Sequence, residues 1–156
     1  MVTRWHLLHL PVSLQGKTGR WGWVEDVLVR WPEGVIEGIG VHANVNRYYV
    51  PAADIAISAM GIHIRQRKSV EKHSRLWWNA RHQQKVIMNQ PIWSKTGELV
   101  GRVKDFMIDE VSLAVHDIVV SQGVLEDLLH GALIVSTREL VIDFDGRIKI
   151  ISNRAV

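Results

Sequence analysis

The chain has 156 residues, of which 47% are hydrophobic and 22% charged; this balance fits a folded globular protein and excludes an intrinsically disordered one. It has no cysteine, which excludes disulfides, thiolate metal sites and thiol nucleophiles and fits a reducing compartment. Its net charge of +3 is unevenly spread: residues 1–64 hold five basic and five acidic side chains, residues 65–85 hold seven basic ones against Glu71, and residues 86–156 hold seven basic against ten acidic. The pattern is a basic connector between a neutral half and an acidic half, not a uniformly nucleic-acid-like surface.

Met1 to Leu14 carries Arg4, His6, His9 and Pro11 and lacks the sustained apolar run of a leader peptide. No apolar run is long enough to span a bilayer. The expectation is a cytoplasmic protein that meets a membrane only at its surface. Leu7 to Val12 reads as a short opening strand, Gly16 to Gly19 as a turn and Trp21 to Val29 as a long strand. Trp31 to Gly34 turns the chain into Val35 to Ala43, and Asn46 to Val50 follows as a further strand. Pro51 to Ile57 reads as a helical turn, with Pro at its start and Asp54 in its first turn, and Ile62 to Ile64 as a last short strand.

The second half repeats this order. At an offset of 79, Gly22 falls on Gly101, Val24 on Val103, Asp26 on Asp105 and Val29 on Ile108, and the match runs on to Val41 and Val120. Upstream, Pro11 meets Pro91 and the turn Lys17-Thr18-Gly19 meets Lys95-Thr96-Gly97. Downstream, Val50 to Ile55 answers Val135 to Leu140 at an offset of 85, so the second copy carries six extra residues, in the region of Val124 to His130. A phrase stated twice implies a duplicated module. Short strands separated by turn signals imply small β-barrels. Each module has a thin core of its own, so the two are expected to pack on each other. The long strands are apolar on both faces in turn, as expected for bent barrel strands, with Gly22 and Gly101 at the point of bend or close approach.

Pro11, Gly19, Gly22 to Asp26 and Val50-Pro51 in the first copy, and Pro91, Gly97, Gly101 to Asp105 and Ile108 in the second, resemble the PRC-barrel family. That family includes the cytoplasmic domain of the photosynthetic reaction-centre H subunit and the C-terminal domain of a ribosome maturation factor. The resemblance covers nearly the whole chain outside residues 65–85. It implies an all-β protein of two tandem barrels, residues 1–66 and 86–156, joined by a basic connector at 67–85. It also implies assembly or adaptor roles without catalysis.

The residues themselves agree. Asp26 and Asp105 admit a paired acid/base or metal reading. Their recurrence favours carboxylates that accept backbone N–H groups at a strand bend. The eight His are scattered, and His6 and His9 would point to opposite faces of a strand. No phosphate loop, nucleophile elbow or HExxH motif occurs. No catalytic, cofactor-binding or metal residue is therefore expected. Trp21 and Trp23 share a strand face, either as a base-stacking platform or, more in keeping with their surroundings, as an interface between the modules.

The connector reads as a helix capped by Ser69 and running to about Gln84, with Lys68, Lys72, Arg75 and His82 on one face and Val70 and Trp77 opposite. Either it is a linker with Trp77 plugged between the barrels, or it presents a binding face built from Lys68, Lys72, Arg75, Trp78 and Arg81. The function expected is a non-catalytic adaptor or scaffold that binds a protein partner, with an anionic membrane surface, RNA or the ribosome as alternatives and a homodimer allowed.

Overall fold

A computed structural model, which describes residues 1–31, 33–73 and 87–152, shows a mostly β chain folded into two sheets. The chain enters through β1 (Val2–Thr3) and a single helical turn, α1 (Arg4–Leu7), whose N-cap Thr3 accepts the His6 amide at 3.1 Å. The first sheet comprises β2 (Pro11–Leu14), β3 (Arg20–Arg30), β4 (Val35–Ala43), β5 (Asn46–Pro51), β6 (Ile55–Ser58), β7 (Gly61–Ile64) and β8 (Glu71–Lys72). Its order is β6-β7-β2-β3-β4-β5-β8. The second sheet comprises β9 (Pro91–Trp93), β10 (Leu99–Ile108), β11 (Val115–Ser121), β12 (Leu133–Ser136), β13 (Leu140–Ile142) and β14 (Ile148–Ile150). Its order is β12-β11-β10-β9-β14-β13, with β1 added alongside β10. A second helix, α2 (Val124–His130), connects β11 to β12.

The two long strands bend at matching places. The β3–β4 ladder shifts register between Val24 and Asp26, and the β10–β11 ladder between Val103 and Asp105. Each bulge increases twist and lets both strand faces reach apolar surroundings, which is why Val27, Leu28 and Val29 are buried in succession. The chain also enters the strands beside them, β2 and β9, by the same turn. His9 and Asn89 have φ of 70° and 67°, and their amides donate to the carbonyls of Val24 and Val103 at 2.9 and 2.8 Å. Gly22 and Gly101 lie where β3 and β10 cross their neighbours. A Cβ at Gly22 would sit 2.8 Å from the His42 carbonyl oxygen, and one at Gly101 would run into the carbonyl oxygen of Ser121.

The sheets meet at a small backbone bridge. Val35 pairs with Ala114; the Ile36 amide donates to the Leu113 carbonyl at 2.9 Å, and the Val115 amide to the Gly34 carbonyl at 2.7 Å. The local two-fold of an antiparallel bridge exchanges Gly34 with Leu113 and Ile36 with Val115, which are the pairs separated by 79 in sequence. Around this bridge one continuous apolar cluster runs from Leu7, Val24 and Ile39 to Ile87, Phe106, Ile118 and Ile150.

Three local expectations are corrected. Leu7 to Val12 is not a strand: Leu7 closes α1, His9 turns with positive φ, and pairing begins at Pro11. The helical turn at Pro51 stops after Ala52–Asp54, because Ile55–Ser58 is taken up as a strand by β7. No helix starts at Ser69: Arg67–Ser69 is a 3-10 turn, and Glu71–Lys72 pairs antiparallel with Tyr48–Tyr49. The free edge of β5 recruits Glu71 and Lys72 into the sheet, and the remainder of the expected helix, residues 74–84, lies outside the described residues.

Gly101→Ala and Gly22→Ala are each expected to cost about 2–3 kcal/mol, because the obstructing atoms are backbone carbonyls that cannot rotate away. Urea unfolding with unchanged m-values checks this.

Candidate functional site

The paired carboxylates sit at the two bulges and serve the backbone there. Asp26 accepts the Val27 amide at 2.8 Å, and Asp105 accepts the Phe106 amide at 2.8 Å. Both then engage α1. The Arg4 guanidinium donates to Asp26 at 2.9 Å, with both side chains largely buried. The Trp5 amide donates to the two Asp105 oxygens at 3.2 and 3.3 Å. A short helix thus lies over both bulges, and the two aspartates clasp one segment from two strands. The arrangement satisfies amides that the bulges release from the ladder. Among the described residues no group of three or more His, Cys, Asp or Glu side chains is placed to hold a metal ion.

Pro11 and Pro91 begin the strands that flank β3 and β10, where a missing amide suits the first position of a strand. Of the connector residues, Lys68 lies in the exposed 3-10 turn and Lys72 is exposed on β8, so they do not share a helix face. Arg75, Trp77, Trp78 and Arg81 lie outside the described residues.

Of the two tryptophans expected between the modules, Trp21 lies half-buried against the apolar cluster common to both sheets and Trp23 is exposed. Trp21 packs on Tyr48 of its own sheet with ring centroids 5.0 Å apart. Trp23 is 41% exposed and carries the Arg20 guanidinium 4.2 Å from its ring centre. Among the described residues, hydrogen-bonded contacts between the two halves come from α1, β1 and the Val35–Ala114 bridge. Across the outer face, Trp23, His42 and Arg47 form one cross-strand row, with Arg47 held by Glu25 at 3.0 Å.

Among the described residues, α2 groups four exposed apolar side chains on one short element. Gly123 and Gly131 bound it, both at positive φ, and the Gly131 amide closes on the Asp127 carbonyl. None of its seven residues is buried. Val124, Leu125, Leu128 and Leu129 are 80, 69, 78 and 65% exposed. The side chain that turns back to the sheet is polar: Asp127 accepts the Ser121 hydroxyl at 2.6 Å and the Gln122 amide at 3.1 Å, with Lys104 at 3.8 Å. The one side chain of α2 that turns inward is thus polar, while its four apolar residues, with Glu126 and His130, face outward, unlike the usual amphipathic arrangement. Beside α2 an open groove of about 650 Å³ runs between β10 and the end of β11, lined by Leu99, Val124 and Leu128 together with Arg102 and Lys104. Chemically this surface is apolar with a cationic margin.

No protein-family model matches the chain, and no curated protein matches it in sequence.

The Asp127 carboxyl is held below the usual aspartate range, first by the Ser121 hydroxyl, then by the Gln122 amide and Lys104, against partial desolvation. A depressed value means that this tie contributes fully above about pH 4, the unfolded value, and is lost as pH falls through the folded one. The protection of the α2 amides, relative to the intrinsic exchange rate at each pH, is therefore expected to fall on acidification below about pH 4, and Asp127→Asn should remove that dependence. Exchange followed by NMR decides it.

Proposed function

We propose that this chain is a non-catalytic adaptor or scaffold, built on two PRC-barrel-like modules, that holds a protein partner through the apolar face of α2. The tandem reading is supported by the six-strand order common to both sheets, by the matched bulges at Asp26 and Asp105, and by the bridge whose two-fold equates residues 79 apart. The observation that carries the docking reading is the inverted helix. A seven-residue helix is too short to persist in water on propensity alone. Each exposed Val or Leu forgoes about 1.5–3 kcal/mol that burial would provide. A chain that turns Asp127 inward and four apolar side chains outward has shaped that face for another surface.

Apolar docking is insensitive to salt, whereas contacts carried by a basic segment to RNA or anionic lipid weaken steeply as salt rises. Capture from native extract at low and high salt separates these readings. Leu125→Glu with Leu129→Glu is expected to leave the circular dichroism spectrum unchanged, because neither side chain is buried, and to abolish a salt-resistant protein association. Association retained by the double variant, or association that disappears with ribonuclease, would set the proposal aside.

A further inference from the structure

We infer that the α2 face is covered by a second copy of this chain, so that the protein is a two-fold dimer joined helix to helix. The inference rests on the docking reading above and names its occupant.

The outward stripe of α2 contains no charged side chain. Val124 and Leu128 form one i, i+4 row and Leu125 and Leu129 the next, and each row can lie in the groove between the rows of a facing helix. A stripe without charge opposes its own copy without bringing like charges together, which is the requirement an isologous contact places on a surface. The acidic groups are directed elsewhere: Asp127 is tied to Ser121, and Glu126 lies 3.9 Å from His130 one turn on.

The size of the patch also fits. With Leu99, 53% exposed on the groove wall, the stripe presents on the order of 500 Å² of apolar surface. A standard interface covers about 800 Å² per partner, and about 65% of a homodimer interface is apolar, which again gives about 500 Å². A two-fold contact buries the stripe on both copies at once and closes, so that this face is not left open for a further copy.

The matching turn of the first sheet, between β4 and β5, is a tight hairpin around Asn44 and Val45, so the additional residues of the second half create this face only once per chain. One self-complementary face per chain produces dimers rather than filaments.

The test is sedimentation equilibrium of the purified full chain across the micromolar range. Wild type is expected at twice the 17.8 kDa chain mass, and Leu125→Glu with Leu129→Glu at the single mass. Because the chain has no cysteine, Leu128→Cys provides a second readout. Mild oxidation is expected to give a disulfide-linked dimer in the Leu128→Cys protein, and none when the two Glu substitutions are added. A wild-type chain that stays monomeric at several hundred micromolar overturns the inference, as does a dimer that survives the double substitution. A monomer that still captures a different protein through α2 overturns the self-association while leaving the adaptor function standing.

Discussion

The structure depends on what happens to two strands at Asp26 and Asp105. A bulge there gives β3 and β10 the bend that lets each feed the core with both faces, and it also withdraws amides from the ladder. Each aspartate accepts the amide next along the chain, which leaves a carboxylate in a sparingly hydrated place. Asp26 is buried, so its charge requires a cation and more donors than its own strand supplies. Arg4 supplies the cation to Asp26 and the Trp5 amide donates to Asp105, and both come from one helical turn that must therefore lie over both bulges. Once α1 is held there, Val2–Thr3 is placed to add to β10 of the second sheet while Leu7 is buried in the common core. The N-terminal segment is thus the element through which two sheets become one body, with the Val35–Ala114 bridge as the second point of attachment.

That economy makes α2 conspicuous. The turn between β4 and β5 does the same connecting work as α2 with far fewer residues, and none of the seven residues of α2 is buried. α2 keeps its place through Asp127, a polar tie to Ser121, Gln122 and Lys104. A polar tie orients the helix without consuming its apolar side, so the four side chains remain available for association. Docking that buries them would stabilise the helix and the complex together, since a short helix gains most of its stability from packing.

Much of this fold was legible in the sequence, and the reasons are specific. The long strands, the Lys-Thr-Gly turns, Gly22 and Gly101 are dictated locally: the turns by φ, the glycines by a neighbouring backbone. The β3–β4 hairpin follows from apolar strands around a Pro-Gly turn. What sequence reasoning missed required a partner in space. β8 exists because β5 offers an edge, so Glu71 and Lys72, which the pattern after Ser69 assigned to a helix, pair as a strand instead. α1 exists because the two bulges need donors. Trp21 and Trp23 share a strand face, yet only the ladder register shows that one meets Tyr48 and the other solvent. The helix at Val124 was detectable, with Gly on both sides, Glu126 and Asp127 in its first turn and apolar residues at i, i+4 spacing. Its orientation was not, because an apolar stripe reads the same whether it faces a core or a partner.

The central claim is that α1 and the Val35–Ala114 bridge make the two sheets a single cooperative unit. Scanning calorimetry tests it most directly, on the full chain carrying Leu125→Glu and Leu129→Glu so that association does not enter. The account predicts one transition whose calorimetric and van't Hoff enthalpies agree. Two resolved transitions, or a calorimetric enthalpy near twice the van't Hoff value, would show that the sheets unfold independently and would contradict it.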